Sequence, residues 1–278
     1  MHSAWRSLTV LCVTGALVSS CASGDGEIES APAEETGSGA ERAIWRPAPG
    51  TSWQWQLSGD IDTSYEVEMY DVDLFDTPVS TIKGLQERGI AVVCYFSAGS
   101  WENWRDDVKD LGFLEELVGP TLDGWPDERW WDISDQRVRA IMVARLDFAV
   151  TKGCEGVEPD NVDGYENWPQ GISADQELAF LEFLAAEAHK RGLSIGLKNN
   201  LSQVGQLVHL FDWALNEECL AWDECEALRP FIDAGKAVFH VEYGPESLAD
   251  KVCSDPSVEG FSSLVKNADL DSWRIACE

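Results

Sequence analysis

Basic residues are scarce in this chain: 20 Lys and Arg stand against 50 Asp and Glu, a formal net charge of −30 over 278 residues. Binding nucleic-acid phosphates requires clustered Lys and Arg, so no nucleic-acid partner is expected. The metal and redox signatures HExxH and CxxC are missing, and a nucleophile elbow for a Ser/His/Asp triad is missing as well. No glycine-rich phosphate loop follows an early strand, which argues against an open dinucleotide-binding sheet. His189, His209 and His240 are far apart in the chain and read as surface or satisfied core groups. No cofactor and no metal are therefore expected, although Asp160 and Asp163 are of the oxygen-donor type that Ca²⁺ or Mg²⁺ accepts. Long apolar runs are also absent. Leu8–Val18 is too short to span a bilayer and has the length of a signal-peptide core.

What is present begins with that signal. Residues 1–20 read as a lipoprotein signal peptide, because Val18-Ser19-Ser20-Cys21 resembles a lipobox with Cys21 as the acylated residue. The expected location is extracytoplasmic, at the cell surface, in a periplasm or secreted, with membrane contact only through a lipid on Cys21. Residues 21–43 are rich in Gly, Ser, Ala, Pro and Glu, a composition that cannot bury a core and reads as a disordered tether. Residues 44–278 form the folded domain, long enough for one α/β barrel. The chain's 13 Trp are numerous, and those at strand ends would give flat platforms for sugar rings. The acidic balance would draw a cationic substrate, or serve solubility or high salt.

Within the domain, strand and helix patterns alternate. Trp53–Leu57 and Val67–Phe75 alternate as half-buried strands. Ile90–Phe96 is a continuous apolar run, as in a parallel strand buried on both faces. Further strands are expected at Trp130–Ile133, after Gly153, at Leu193–Asn200, Trp213–Cys219, Ala237–Tyr243 and Phe261–Asn267, with helices between them. Residues 103–129 look irregular, with one or two short helices. This order implies βαβ units and a (β/α)8 barrel of TIM type, with about nine strand candidates for eight places.

Polar residues collect where these strands end: Asp71 and Asp73, Glu158 and Asp160, Lys198 and Asn199, Glu217 and Glu218, Glu242 and Tyr243. Catalytic groups of such barrels sit at that end of the sheet. Two carboxyl groups facing one another across the mouth are what glycoside hydrolysis needs, one to protonate the leaving oxygen and one to act as nucleophile or base. Asp160 and Glu217 are the candidates, with Glu158 and Glu218 as competitors because strand register decides which side chain faces inward. Asp71, Asp73, Tyr95, Asp163, Lys198, Asn199, Glu242 and Tyr243 would bind the sugar. The six cysteines after Cys21 suit an exported protein: Cys219 with Cys225 and Cys253 with Cys277 would close loops, and Cys94 and Cys154 are a third pair or free.

Cys94-Tyr95-Phe96-Ser97-Ala98-Gly99-Ser100, Gly153 to Asp163, Leu197-Lys198-Asn199 and Asn216-Glu217-Glu218-Cys219 together resemble glycoside hydrolase family 114 over residues ~45–278. The resemblance implies a (β/α)8 barrel that cleaves α-1,4-linked galactosamine polymers internally. Its catalytic acids carry over to the Glu158–Asp160 segment and to Glu217. Glu158 stands where other members have Asp before the proline, which moves the assignment to Asp160. The expected partner is an amino-sugar polysaccharide. The rival readings are a non-catalytic polysaccharide-binding lipoprotein on the same barrel, and a glycosidase for another α-linked sugar.

Overall fold

The computed structural model describes residues 43–112 and 114–277. The signal peptide and tether expected over residues 1–43 lie outside the described residues, apart from Ala43. Eight parallel strands follow one another in chain order: β1 (Trp53–Gln56), β2 (Met69–Asp73), β3 (Ala91–Ser97), β4 (Gly156–Asp160), β5 (Ser194–Lys198), β6 (Trp213–Glu217), β7 (Val238–Tyr243) and β8 (Ser262–Lys266). Each is hydrogen-bonded to its sequence neighbours. At the seam, Trp53 Nε1 donates to Ser262 O across 2.9 Å, which brings β1 beside β8. The short antiparallel β9 (Arg274–Ala276) pairs with β8, and Arg274 Nη1 donates to Trp53 O at 2.8 Å. The fold is a (β/α)8 barrel of TIM type.

Strand alternation sorts the side chains into two layers. Trp53, Trp55, Met69, Val93, Trp213, Leu215, Phe239 and Val241 fill the barrel interior. The residues between them, such as Val92, Cys94, Val157, Ile195, Leu197 and Val238, pack outward in a second cluster with helix residues including Ile82, Val138, Leu146, Phe180 and Leu184. The interior is so tightly filled that a Cβ added at Gly196 would lie 2.2 Å from the Trp213 ring. Trp213 Nε1 is held there by Ser194 Oγ at 3.0 Å.

The main helices start and stop where local chemistry directs. Asp135 caps Gln136–Lys152 by accepting from the Arg137 N–H, and Gly153, at φ 91°, ends it. Ser173 and Gln176 form a reciprocal capping box at the start of Ala174–Lys190. All three cysteine pairs are disulfides: Cys94–Cys154, Cys219–Cys225 and Cys253–Cys277.

The ninth strand candidate lies outside the barrel. Trp130 and Trp131 end the strand Trp125–Trp131, which joins Ser100–Glu102 and Val118–Leu122 in an antiparallel sheet inserted after β3. The stretch 103–129 is irregular up to a short 3-10 helix at Leu114–Glu116, as expected, and then forms a hairpin that was not expected. Pro120 and Pro126 mask its strand pattern, but Asp123-Gly124 at its turn is a strong hairpin dipeptide, with Gly124 at φ 79°.

Candidate active site

The carboxyl ends of β4 and β6 converge on one lysine, supplied by β5 between them. Lys198, last in β5, points up the barrel axis with its side chain 2% exposed. Its Nζ lies 3.0 Å from Glu158 Oε1, 2.9 Å from Asp160 Oδ1 and 3.2 Å from Glu217 Oε2. The Trp55 ring centroid is 4.9 Å from the same nitrogen. Burial works against this ammonium, but Asp160, Glu158 and Glu217 outweigh it and hold its pKa well above the ordinary lysine value.

Glu158 and Asp160 are two apart on β4, so both face inward, and depth separates them. Glu158 has no exposed side-chain surface and lies under Lys198, whereas Asp160 reaches the mouth at 17% exposure. Asp160 Oδ2 accepts from the Tyr95 hydroxyl at 2.9 Å, so both of its oxygens have donors. The backbone beneath is locked too: Ala98 N and Gly99 N donate to Asp160 O at 2.8 and 3.0 Å. A Cβ at Gly99 would collide with Asn161 O at 1.6 Å, so only glycine allows that approach.

Glu217, at the end of β6, is 26% exposed. It accepts from the Tyr243 hydroxyl and from Asn199 Nδ2 at 3.3 Å, while its own N–H donates to Asn199 Oδ1 at 3.0 Å. Burial and the neighbouring carboxylates push the Tyr95 and Tyr243 hydroxyls upward in pKa, so both remain protonated donors. The cleft above these groups encloses about 710 Å³ and is lined by Asp160, Lys198, Asn199, Glu217, Tyr95 and Tyr243.

Other residues expected at the sugar take different places. Asp71 is fully buried beneath the floor, where burial and Glu158 raise its pKa well above the ordinary aspartate value. Glu242 neighbours Tyr243 on β7 and therefore faces the other way; its Oε1 accepts from His240 Nε2 at 3.0 Å and from Leu220 N at 2.8 Å. Asp73 borders the cleft, but Arg105 holds its carboxylate at 2.6 and 3.1 Å, and it also caps the N–H groups of Phe75 and Asp76. Asp163 lines the rim.

The inserted sheet supplies groups that strand-end reasoning missed. Glu102, held by Arg105 Nε at 2.9 Å, and Glu128, bonded to Ser100 Oγ at 2.5 Å, both line the cleft. Trp104 and Trp125, 48% and 61% exposed, stand at its edge. Their acids occupy no barrel-strand terminus; the usable signal was aromatic density in an otherwise irregular stretch.

A sequence profile of glycoside-hydrolase family GH114 matches residues 34–278. The chain belongs to that family. This GH114 barrel is accordingly a glycoside hydrolase. Among solved structures it resembles the Aspergillus fumigatus Ega3 complex with galactosamine, at 42% identity and a TM-score of 0.80, over 84% of this chain and 98% of that one. The glycoside hydrolase domain of PelA from Pseudomonas aeruginosa shares the fold at 14% identity and a TM-score of 0.64, over 83% of this chain and 99% of that one. A comparison with curated proteins finds no match.

The GH114 site also sets a pH dependence for the fold. Burial, and then Asp163, push the Glu177 carboxyl up to about 8 from an ordinary 4.5; burial, and then Asp160, push Asp163 up to about 6 from 3.8. Glu177 Oε2 accepts from Tyr165 N at 3.2 Å, and its Oε1 has no donor. Between the ordinary and raised values the native state holds protons that the unfolded chain has lost, so stability falls with rising pH. This stability is complete below the ordinary carboxylate range and gone once the pH passes the raised values. Calorimetry should show the thermal midpoint declining from pH 5 to pH 8, less steeply in Glu177→Gln. A midpoint that climbs across that interval would contradict this.

Proposed function

We propose that the protein is an extracytoplasmic endo-hydrolase of α-1,4-linked galactosamine polysaccharide, with Asp160 as nucleophile and Glu217 as acid and base. The observation that carries this reading is the shared lysine. Asp160 and Glu217 come from strands two apart, yet both contact Lys198 Nζ, at 2.9 and 3.2 Å. Their two oxygens are therefore within about 6 Å of one another, short of the ~6.5–9.5 Å that leaves room for an attacking water in inverting enzymes.

In the first half-reaction, Asp160 Oδ attacks the anomeric carbon as the glycosidic C–O bond breaks, and Glu217 delivers its proton to the departing oxygen. A glycosyl ester on Asp160 results. In the second, Glu217 takes a proton from water, the hydroxide attacks the same carbon, and Asp160 leaves. Two displacements on one centre retain the α configuration. The Tyr243 hydroxyl donates to the Glu217 carboxylate and accepts from its acid form, so their hydrogen bond persists through both halves. Lys198 offsets the charge of whichever acid is ionised, Asp160 before the ester forms and Glu217 once it has given up its proton.

The amino-sugar substrate is supported by Ega3, whose structure contains galactosamine, and by the formal charge of −30, which attracts a polycation. Three disulfides suit an oxidising compartment, and among the described residues no helix is long and apolar enough to cross a membrane. A lipid on Cys21, carried by the 21–43 tether ahead of a 44–278 domain, would place the barrel at a membrane surface, and Cys21→Ser should then release it from the detergent phase.

The stereochemical test follows early product anomers by proton NMR on a deacetylated α-1,4-galactosamine oligomer. The α-anomer should form first, with mid-chain fragments dominating. Initial β-product would rule out Asp160 as nucleophile, and single-unit release from chain ends would rule out internal cleavage.

A further inference from the structure

A second groove opens beside the catalytic cleft, and the proposed function does not use it. It encloses about 430 Å³ and shares Asp163, Asn199 and Glu217 with the cleft, but Asp160 does not line it. Its remaining wall carries Glu166, Glu218 and Glu224, the indole of Trp222, and no Lys or Arg.

We propose that this groove is a subsite for a free amino sugar on the leaving-group side of the scissile bond. The inference rests on the galactosaminidase reading of the cleft and adds where the amine of the departing chain is recognised. The groove borders Glu217, which protonates the departing oxygen, and not Asp160, which bonds to the retained sugar. A chain leaving the cleft past Glu217 enters it directly.

The chemistry of the wall fits an ammonium-bearing ring. Trp222 is 71% exposed, a flat apolar face in water next to a catalytic acid. Sugar rings present C–H faces that cover such a surface. Glu166 Oε1 accepts from the Tyr165 and Ser202 hydroxyls, both at 2.7 Å, and no cation pairs with it among the described residues. Burial raises Glu224 and Glu166 adds to it; burial also raises Glu218, with Glu242 and Glu217 adding to it. Acids crowded together without a cation are relieved by a positive ligand.

The floor and the loop of the groove are held rigid. Asn200, 2% exposed and at φ 46°, lines the groove with its amide orientation set: Nδ2 donates to Val162 O at 2.9 Å and to Gln203 Oε1 at 3.0 Å. Its Oδ1 is buried and has no donor. Buried acceptors are rarely left in that state, and the amide marks the groove floor as a polar surface. The loop is prepared for the task. The Cys219–Cys225 disulfide closes it, and Glu224 N donates to Cys219 O at 2.9 Å, so Trp222 and Glu224 are presented on a pinned turn.

The test compares wild type with a Trp222→Ala/Glu224→Gln double variant on two substrates. One is a fully deacetylated α-1,4-galactosamine oligomer. The other is α-galactosaminyl fluoride, whose leaving group is a single atom and cannot occupy the groove. Both altered side chains are exposed, so folding should be unaffected and is checked by thermal midpoint. The expected result is a kcat/KM loss on the oligomer of roughly ten- to a hundredfold with the fluoride rate unchanged. N-acetylating the leaving-side unit of the oligomer should slow wild type and make little difference to the variant. Equal losses on both substrates, or no loss on the oligomer, overturn the subsite while leaving the galactosaminidase intact. Failure of wild type to cleave either substrate overturns both.

Discussion

Asp160→Asn and Glu217→Gln should each lower kcat on the galactosamine oligomer by about a thousandfold or more, while the folded state stays nearly as stable as wild type. The amide replacements preserve shape and retain an acceptor for the Tyr95 or Tyr243 hydroxyl. Lys198 keeps Glu158 and one remaining partner, so no buried charge is stranded. The two variants should differ on an activated substrate. On α-galactosaminyl fluoride, whose leaving group needs little protonation, Glu217→Gln should recover its first step and Asp160→Asn should not. Azide added to Asp160→Ala would supply the missing nucleophile from the opposite face and yield a β-glycosyl azide. Wild-type turnover in Asp160→Asn would remove that residue from the reaction and pass its role to another acid of the cleft.

The second large effect is expected at Lys198→Met, and it combines catalysis with folding. The substitution leaves an apolar side chain one atom shorter and removes the cation that touches Glu158, Asp160 and Glu217. Glu158 is then a fully buried acid with no counter-ion, beside the equally buried Asp71. Breaking a buried pair in this way costs about 3–5 kcal/mol, a fall in thermal midpoint of roughly 6–20 °C. Burial raises the Glu158 carboxyl even with the lysine present, so without it Glu158 should bind a proton more readily still. The deficit should accordingly shrink as the pH is lowered and grow as it is raised. Glu158→Gln added to Lys198→Met should restore much of the stability but not the activity, because Asp160 and Glu217 would still lack their shared cation. A thermal midpoint unchanged in the single variant would mean that the ammonium contributes nothing to holding the barrel mouth together.

Much of this was legible in the chain, for a plain reason. Parallel strands buried on both faces appear as short apolar runs, and acids at their ends have few structural excuses, so both the barrel and the segments carrying Glu158, Asp160, Lys198 and Glu217 stand out. Two of the disulfides, Cys219–Cys225 and Cys253–Cys277, are suggested by the sequence, while Cys94 and Cys154 stay open as a pair or free thiols because nothing local says that β3 and the turn before β4 adjoin. Trp130-Trp131 looked like a barrel strand because aromatic pairs favour strands of any sheet; only the pairing with Ser100–Glu102 assigns it elsewhere.

The sequence by itself determined the fold class, the family and the short list of acids, since periodicity, strand order and motif are properties of residues near one another in the chain. Where each acid sits was decided only in three dimensions. Alternation puts Glu158 and Asp160 on one face, and the curvature of the closed barrel sinks the first beneath Lys198 and lifts the second to the mouth. The same alternation turns Glu242 away from the cleft that Tyr243 faces. The insertion after β3 brings Arg105 to Asp73 and Glu128 to Ser100, each about thirty residues away along the chain. Depth, facing and long-range apposition depend on how the strands close around an axis, and no window of sequence contains that axis.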